Sequence, residues 1–156
     1  MTDGDASAAS LGELVAGLAH WSPDADGQEA ARLRAGDVAC AVHLGGSLPQ
    51  WVAARQAYGR LLGEGTGGCW LGAELASCCR ITEIDDIDLR TCTTPGSVAV
   101  PAALVFASQG AGTADVLAGI AAGYEVILAA AAALGGAFAT AAGTWPTRAA
   151  AALGAA

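Results

Sequence analysis

The stretch GSVAVPAALVF, residues 96–106, decides the fold class. Its valine-rich start is the most strand-like run in the chain. Pro101 removes a backbone N–H, which would confine a strand here to an edge. The alanines and leucine that follow favour a helix after the first turn. Read as a helix capped by Ser97 and running to about Gln109, the segment leaves no run of apolar and polar residues with convincing period-2 alternation. The chain then reads as all-α.

The helical pattern extends outward from this point. Downstream, GAGTAD breaks the chain and Thr113 caps a long apolar helix to about Leu134. GTWPTR breaks it again, and Pro146 suits the first turn of a last helix. Upstream, helical periodicity covers 69–81, 50–62 and 28–44, and the last of these turns Ala31, Leu33, Val38, Ala41 and Val42 inward. A first helix over 10–21 is capped by Ser10. Residues 1–9 read as disordered, and 10–156 as a single helical domain of six or seven helices.

Composition narrows the functions. Of 156 residues 54% are hydrophobic, but alanine dominates them, and 22 are glycine. Such a core needs close helix contact or surface covered by a partner. Only 14% of residues are charged, against about 25% in ordinary soluble domains. We therefore expect a homodimer or other oligomer. The net charge is −8, and all seven basic residues are arginine. No basic stripe for nucleic acid exists. The lack of lysine excludes Schiff-base chemistry on this chain. The five cysteines show neither a disulfide framework nor a zinc-ligand spacing, so buried free thiols are expected. The acidic N-terminus lacks the features of a signal peptide. The apolar run 114–143 is interrupted by Asp115 and Glu125 and diluted by glycine. It reads as buried helix rather than membrane span, and the location as cytoplasmic.

The chemistry-bearing stretch is TEIDDIDLRTCTTPGS, residues 82–97. Glu83, Asp85, Asp86 and Asp88 crowd into six positions. If the helix before them continues past Arg80, Asp85 falls on its apolar face, and Glu83 and Asp86 share the next one. Desolvation and mutual repulsion there raise carboxyl pKa values, which suits acid–base work near neutral pH. Glu83, Asp85 and Asp86 are the catalytic candidates. Arg90, Thr93, Thr94 and Ser97 are substrate-binding candidates beside them, since an arginine, hydroxyls and a helix start attract anions, and Asp88 is counted with them by its place in the loop. Asp86→Asn is expected to abolish turnover and leave the fold intact. The plainer alternative is a solvated loop in which Arg80 and Arg90 pair with the acids. The D-D-x-D pattern also brings a divalent metal to mind, but the spacing matches no EF-hand loop, and neither metal nor cofactor is expected. Glu125, mid-helix beside Tyr124, reads as a buried acid in need of a partner.

The run TEIDDIDLRTCTTPGSVAVPAALVFA, with GIAAGYEV and GTWPTRAAAALGAA after it, resembles the MmgE/PrpD family, which includes 2-methylcitrate dehydratase and cis-aconitate decarboxylase. The resemblance is carried by three segments in order and is clearest over 69–156. It implies the N-terminal part of that family's large helical domain, with the acidic loop as one wall of the active site and Trp145 and Thr147 lining the same cavity. Where family members commonly carry histidine, this chain has Asp88 and Thr94. The family's later lysine and histidine lie beyond the last residue here. The resemblance thus implies a dehydratase, isomerase or cyclase on an altered helical scaffold. It would move protons on a small carboxylic or enolisable, polyketide-like substrate of specialised metabolism. The alternative is a non-catalytic or half-enzyme subunit that needs a partner chain to complete the site.

Overall fold

The computed structural model describes residues 21–62 and 67–155, together with Glu13, Ala16 and Gly17. The N-terminal tail and, apart from those three helical positions, the expected helix over 10–21 lie outside the described residues. Seven helices and no strand occur among them: α1 (Ala25–Gly46), α2 (Pro49–Leu62), α3 (Gly68–Arg80), α4 (Gly96–Ser108), α5 (Thr113–Ala133), α6 (Ala137–Ala141) and α7 (Pro146–Gly154). The all-α reading holds. The strand-like segment is α4, with Pro101 buried inside it.

Several local expectations need correction. Ser97 does not cap α4: Pro95 already has αR dihedrals and takes that position, and Ser97 is one residue inside. Its hydroxyl instead donates to the Thr94 carbonyl at 2.9 Å. Gly112, not Thr113, precedes α5. Helix α6 was not legible, because five residues carry no helical period; it follows Gly135 and Gly136, both at positive φ. Leu33 is 65% exposed rather than inward, because Ala31, Val38 and Ala41 supply the buried stripe of α1. Glu125 is exposed, since Tyr124 takes the inward position and the next residue on a helix points about 100° away. Only Cys78 and Cys79 are buried thiols; Cys40 and Cys69 are exposed and Cys92 is half-buried.

The core is built from small residues at close range. Ala31, Val38 and Ala41 of α1 meet Cys79 of α3, Val100 and Ala103 of α4, and Leu117 and Ile120 of α5. A second cluster joins Ala99, Ile127, Ala131 and Ala150, and Tyr124 packs against both. Helix α5 therefore contacts α1, α4 and α7. It is also the one described helix long and apolar enough to cross a membrane, with a mean hydropathy of 1.9.

Glycine sets the helix spacing at two points. A Cβ on Gly123 would sit 2.8 Å from both the Ala99 Cβ and the Gly154 carbonyl oxygen. One on Gly45 would lie 2.0 Å from the Cys78 carbonyl oxygen. That second contact sets a Cβ against a backbone carbonyl that cannot swing aside, so α1 and α3 must part to relieve it. Gly45→Ala is expected to lower stability by about 2 kcal/mol despite alanine's better helix propensity. Urea denaturation checks this; an unchanged midpoint would show that the helices separate without cost.

Candidate functional site

Helix α3 ends at Arg80, and a turn over 81–83 follows. The expected continuation of the helix past Arg80 does not occur. Glu83 has a φ of 54°, a left-handed conformation that costs a non-glycine residue energy and stops the helix. The three catalytic candidates consequently part company. The Glu83 side chain is 76% exposed, that of Asp85 0% and that of Asp86 8%.

Arg80 ties the first two together. Its Nη1 donates to Asp85 Oδ1 at 2.5 Å and its Nη2 to Glu83 Oε1 at 3.0 Å. Burial alone would lower the Arg80 pKa, but bonding to Asp85 and the two negative charges raise it above its usual value. Asp85 Oδ2 is buried with no hydrogen-bond partner among the described residues.

Asp86 turns the other way. Its Oδ1 accepts the Gly96 N–H at 3.0 Å, satisfying a free donor at the start of α4, and its Oδ2 accepts the Tyr124 hydroxyl at 2.9 Å. Arg34 Nη1 lies 4.0 Å from the same oxygen, and its guanidinium stands 5.7 Å from the Tyr124 ring centroid. Burial raises the Asp86 pKa, outweighing the Tyr124, Arg34 and Gly96 interactions that lower it. Asp86 thus joins α1, α4 and α5. Asp86→Asn is therefore expected to weaken this junction, and to lower stability as well as turnover.

The rest of the loop closes on itself. Asp88 Oδ2 accepts the Thr91 N–H and hydroxyl at 2.9 and 2.7 Å, an Asx-type turn. The Thr91 hydroxyl, then burial in opposition, then Arg90 leave the Asp88 carboxyl below its ordinary pKa. Asp88 and Thr93 exchange backbone bonds as an isolated antiparallel bridge, with Cys92 at positive φ between them. Arg90 is exposed and pairs with Asp88. Thr93 is fully buried, its hydroxyl 2.7 Å from that of Thr91. Asp88, Arg90 and Thr93 therefore hold the loop's own shape.

The remaining candidates converge elsewhere. Thr94, Ser97, Trp145 and Thr147 line one groove of about 640 Å³, together with Trp51, Tyr58, Arg80 and Arg148. The Thr94 N–H donates to Thr147 Oγ1 at 3.1 Å, across 53 positions of sequence. That contact uses the Thr147 oxygen as acceptor and leaves its O–H as an uncommitted donor on a residue that lines the groove. Arg148 has no ion-pair partner among the described residues. The groove thus offers the Arg148 guanidinium, the N–H groups that Arg80 does not spend on Asp85 and Glu83, and the Thr147 hydroxyl, between aromatic walls. That composition suits a carboxylate attached to an apolar body. Glu83, Asp85 and Asp86 do not line it; Arg80 connects it to the first two. Arg80 was legible as a charge flanking the loop and able to bind an anion, but not as a residue of this groove. Trp51 and Tyr58 gave no signal as site residues, because an aromatic on a helix reads first as core.

Among the described residues no three His, Cys, Asp or Glu side chains are grouped to hold a metal ion. Beside the acids, burial pushes the Cys79 thiol up to about 12, with Asp85 adding to the shift. A pKa raised on folding gives stability that is complete below the unfolded value, 9.0, and is lost above it. Stability should fall by up to about 1.4 kcal/mol per pH unit between those values. In Cys79→Ala the slope should flatten, as measured by urea denaturation at several alkaline pH values. An equal slope in the variant would remove Cys79 as its source.

No protein-family model, curated protein or solved structure matches the chain.

Proposed function

We propose that the chain is a cofactor-free enzyme of the dehydratase, isomerase or cyclase kind, moving protons on a small carboxylic or enolisable substrate, on a helical scaffold akin to the N-terminal part of the MmgE/PrpD large domain. The observation that carries this reading is the groove in which Thr94, Ser97, Trp145 and Thr147 meet Arg80 and Arg148. Arg80 and the Thr147 hydroxyl hold the substrate's carboxylate or carbonyl oxygen and stabilise the charge that grows there as a carbon-bound proton leaves. Arginine stays protonated, so it does not take that proton. Of the three candidate acids, Glu83 alone presents an exposed carboxylate; it stands outside the groove lining and is bonded to Arg80, so it serves only a substrate carbon that projects past Arg80. We assign it the role of base. Asp85, beneath Arg80, is a positioning residue, and Asp86 belongs to the helix junction. The apolar walls favour a hydrophobic, polyketide-like acid over a tricarboxylate.

The reaction class is tested by solvent exchange. The purified chain, mixed with small β-keto and α,β-unsaturated acids in D2O, should accelerate loss of the acidic carbon-bound proton, followed by NMR. No acceleration for any of them would remove the proton-transfer reading.

A second reading has its own support. Large apolar side chains stand on the acidic loop and near it: Ile84, Ile87, Leu89 at 78% and Phe138 at 87% exposure. The Phe138 helix is bonded to that loop through the Ala137 N–H and the Arg90 carbonyl. On this reading the loop is half of a site that a separate partner chain completes. Sedimentation velocity separates the two: a discrete species that shows exchange alone fits the enzyme, and an inert or polydisperse one fits the half-site.

A further inference from the structure

Beside the groove lies a second cavity, of about 220 Å³, walled by Trp51, Tyr58 and Trp70 and edged by the Arg55–Glu74 ion pair. Trp51, Tyr58 and Ser77 line both cavities, so the two adjoin. The pairing follows from helix geometry. Trp51, Arg55 and Tyr58 recur along one face of α2, while Trp70, Ala73, Glu74 and Ser77 recur along one face of α3. The cavity is the space between those two faces. It is large enough for a substituted six-membered ring, since benzene occupies an apolar cavity of about 150 Å³. Aromatic walls hold a flat π-system better than a flexible alkyl chain, through stacked or edge-on contact.

Resting on the reading of the groove as the substrate site, we propose that the substrate is an aryl carboxylic acid, its ring held among Trp51, Tyr58 and Trp70 and its carboxylate between Arg80 and Arg148. The ion pair at the far edge suits a ring that carries a hydroxyl, which can donate to Glu74. Two guanidiniums at one end and an aromatic box at the other fix the acid's direction. That leaves the carbons between ring and carboxylate exposed to the chemistry.

Calorimetric titration with hydrocinnamate and hexanoate tests this, since the two acids share a carboxylate and differ in the ring. Hydrocinnamate should bind about tenfold more tightly than hexanoate. Trp70→Leu, which alters only the aromatic cavity, should erase that margin and leave hexanoate unchanged. Ala73→Leu, at an exposed position that points bulk into the same space, should do the same if the tryptophan variant fails to fold. Arg148→Gln should weaken both acids. If the two acids bind alike, and Trp70→Leu and Ala73→Leu change neither while Arg148→Gln weakens both, the aromatic compartment is wrong and the groove stands. If neither acid binds the wild-type chain, or Arg148→Gln changes neither, both readings fall.

Discussion

Replacing Arg80 by methionine should cost about 3 kcal/mol of stability. The Asp85 side chain is fully covered, and Arg80 Nη1 is its ion-pair partner at 2.5 Å. Its other oxygen has no partner among the described residues. Methionine keeps much of the arginine stem's packing and removes every donor. The carboxylate is then buried without compensation, and a broken buried pair costs roughly 3–5 kcal/mol. The low end applies because Arg80 itself is 30% exposed, so solvent screens its half of the pair. Asp85→Asn in the same chain removes the stranded charge and should recover a large part of the loss. Urea denaturation of the single and double variants gives the cycle. A single variant within about 0.5 kcal/mol of wild type would mean that solvent reaches Asp85 and that the pair organises nothing.

The second large effect is kinetic. Glu83→Gln should lower turnover by roughly two to four orders of magnitude, the usual contribution of a general base. It should change substrate affinity little, because the anion's contacts come from Arg80, Arg148 and the threonine hydroxyls. Stability should move by no more than about 0.5 kcal/mol, since an exposed ion pair contributes little. This combination separates a base from a positioning residue: Asp85→Asn, which acts through Arg80, should weaken binding and stability together. Undiminished turnover in Glu83→Gln would transfer the role of base elsewhere.

The helices other than α6 were legible because alanine-rich segments with apolar residues at helical spacing leave little alternative, and because glycine and proline mark most of the breaks, though not the end of α3. The loop between α3 and α4 was legible in composition and not in direction. Its orientation turns on a left-handed Glu83 and on the Asp86–Tyr124 bond across 38 positions, and neither has a local signature. The substrate-binding candidates divided for the same reason. Asp88, Arg90 and Thr93 are close in sequence and spend their polar atoms on one another. Thr94, Ser97, Trp145 and Thr147 are distant in sequence and meet because α7 docks near the start of α4. The aromatic walls were invisible, since only the cavity between α2 and α3, edged by the Arg55–Glu74 pair, shows that Trp51 and Trp70 share a space.

The chain's four tryptophans allow the central claim to be tested directly. Trp51 and Trp145 line the groove, and Trp21 does not. Indole N–H signals in a ¹H–¹⁵N spectrum should be followed while hexanoate, which brings no ring current, is titrated in. Saturable movement of the Trp51 and Trp145 signals with Trp21 unmoved is the predicted result. If Trp51 and Trp145 stay still at saturating acid, or Trp21 moves as far as they do, the groove is not where this protein holds its substrate.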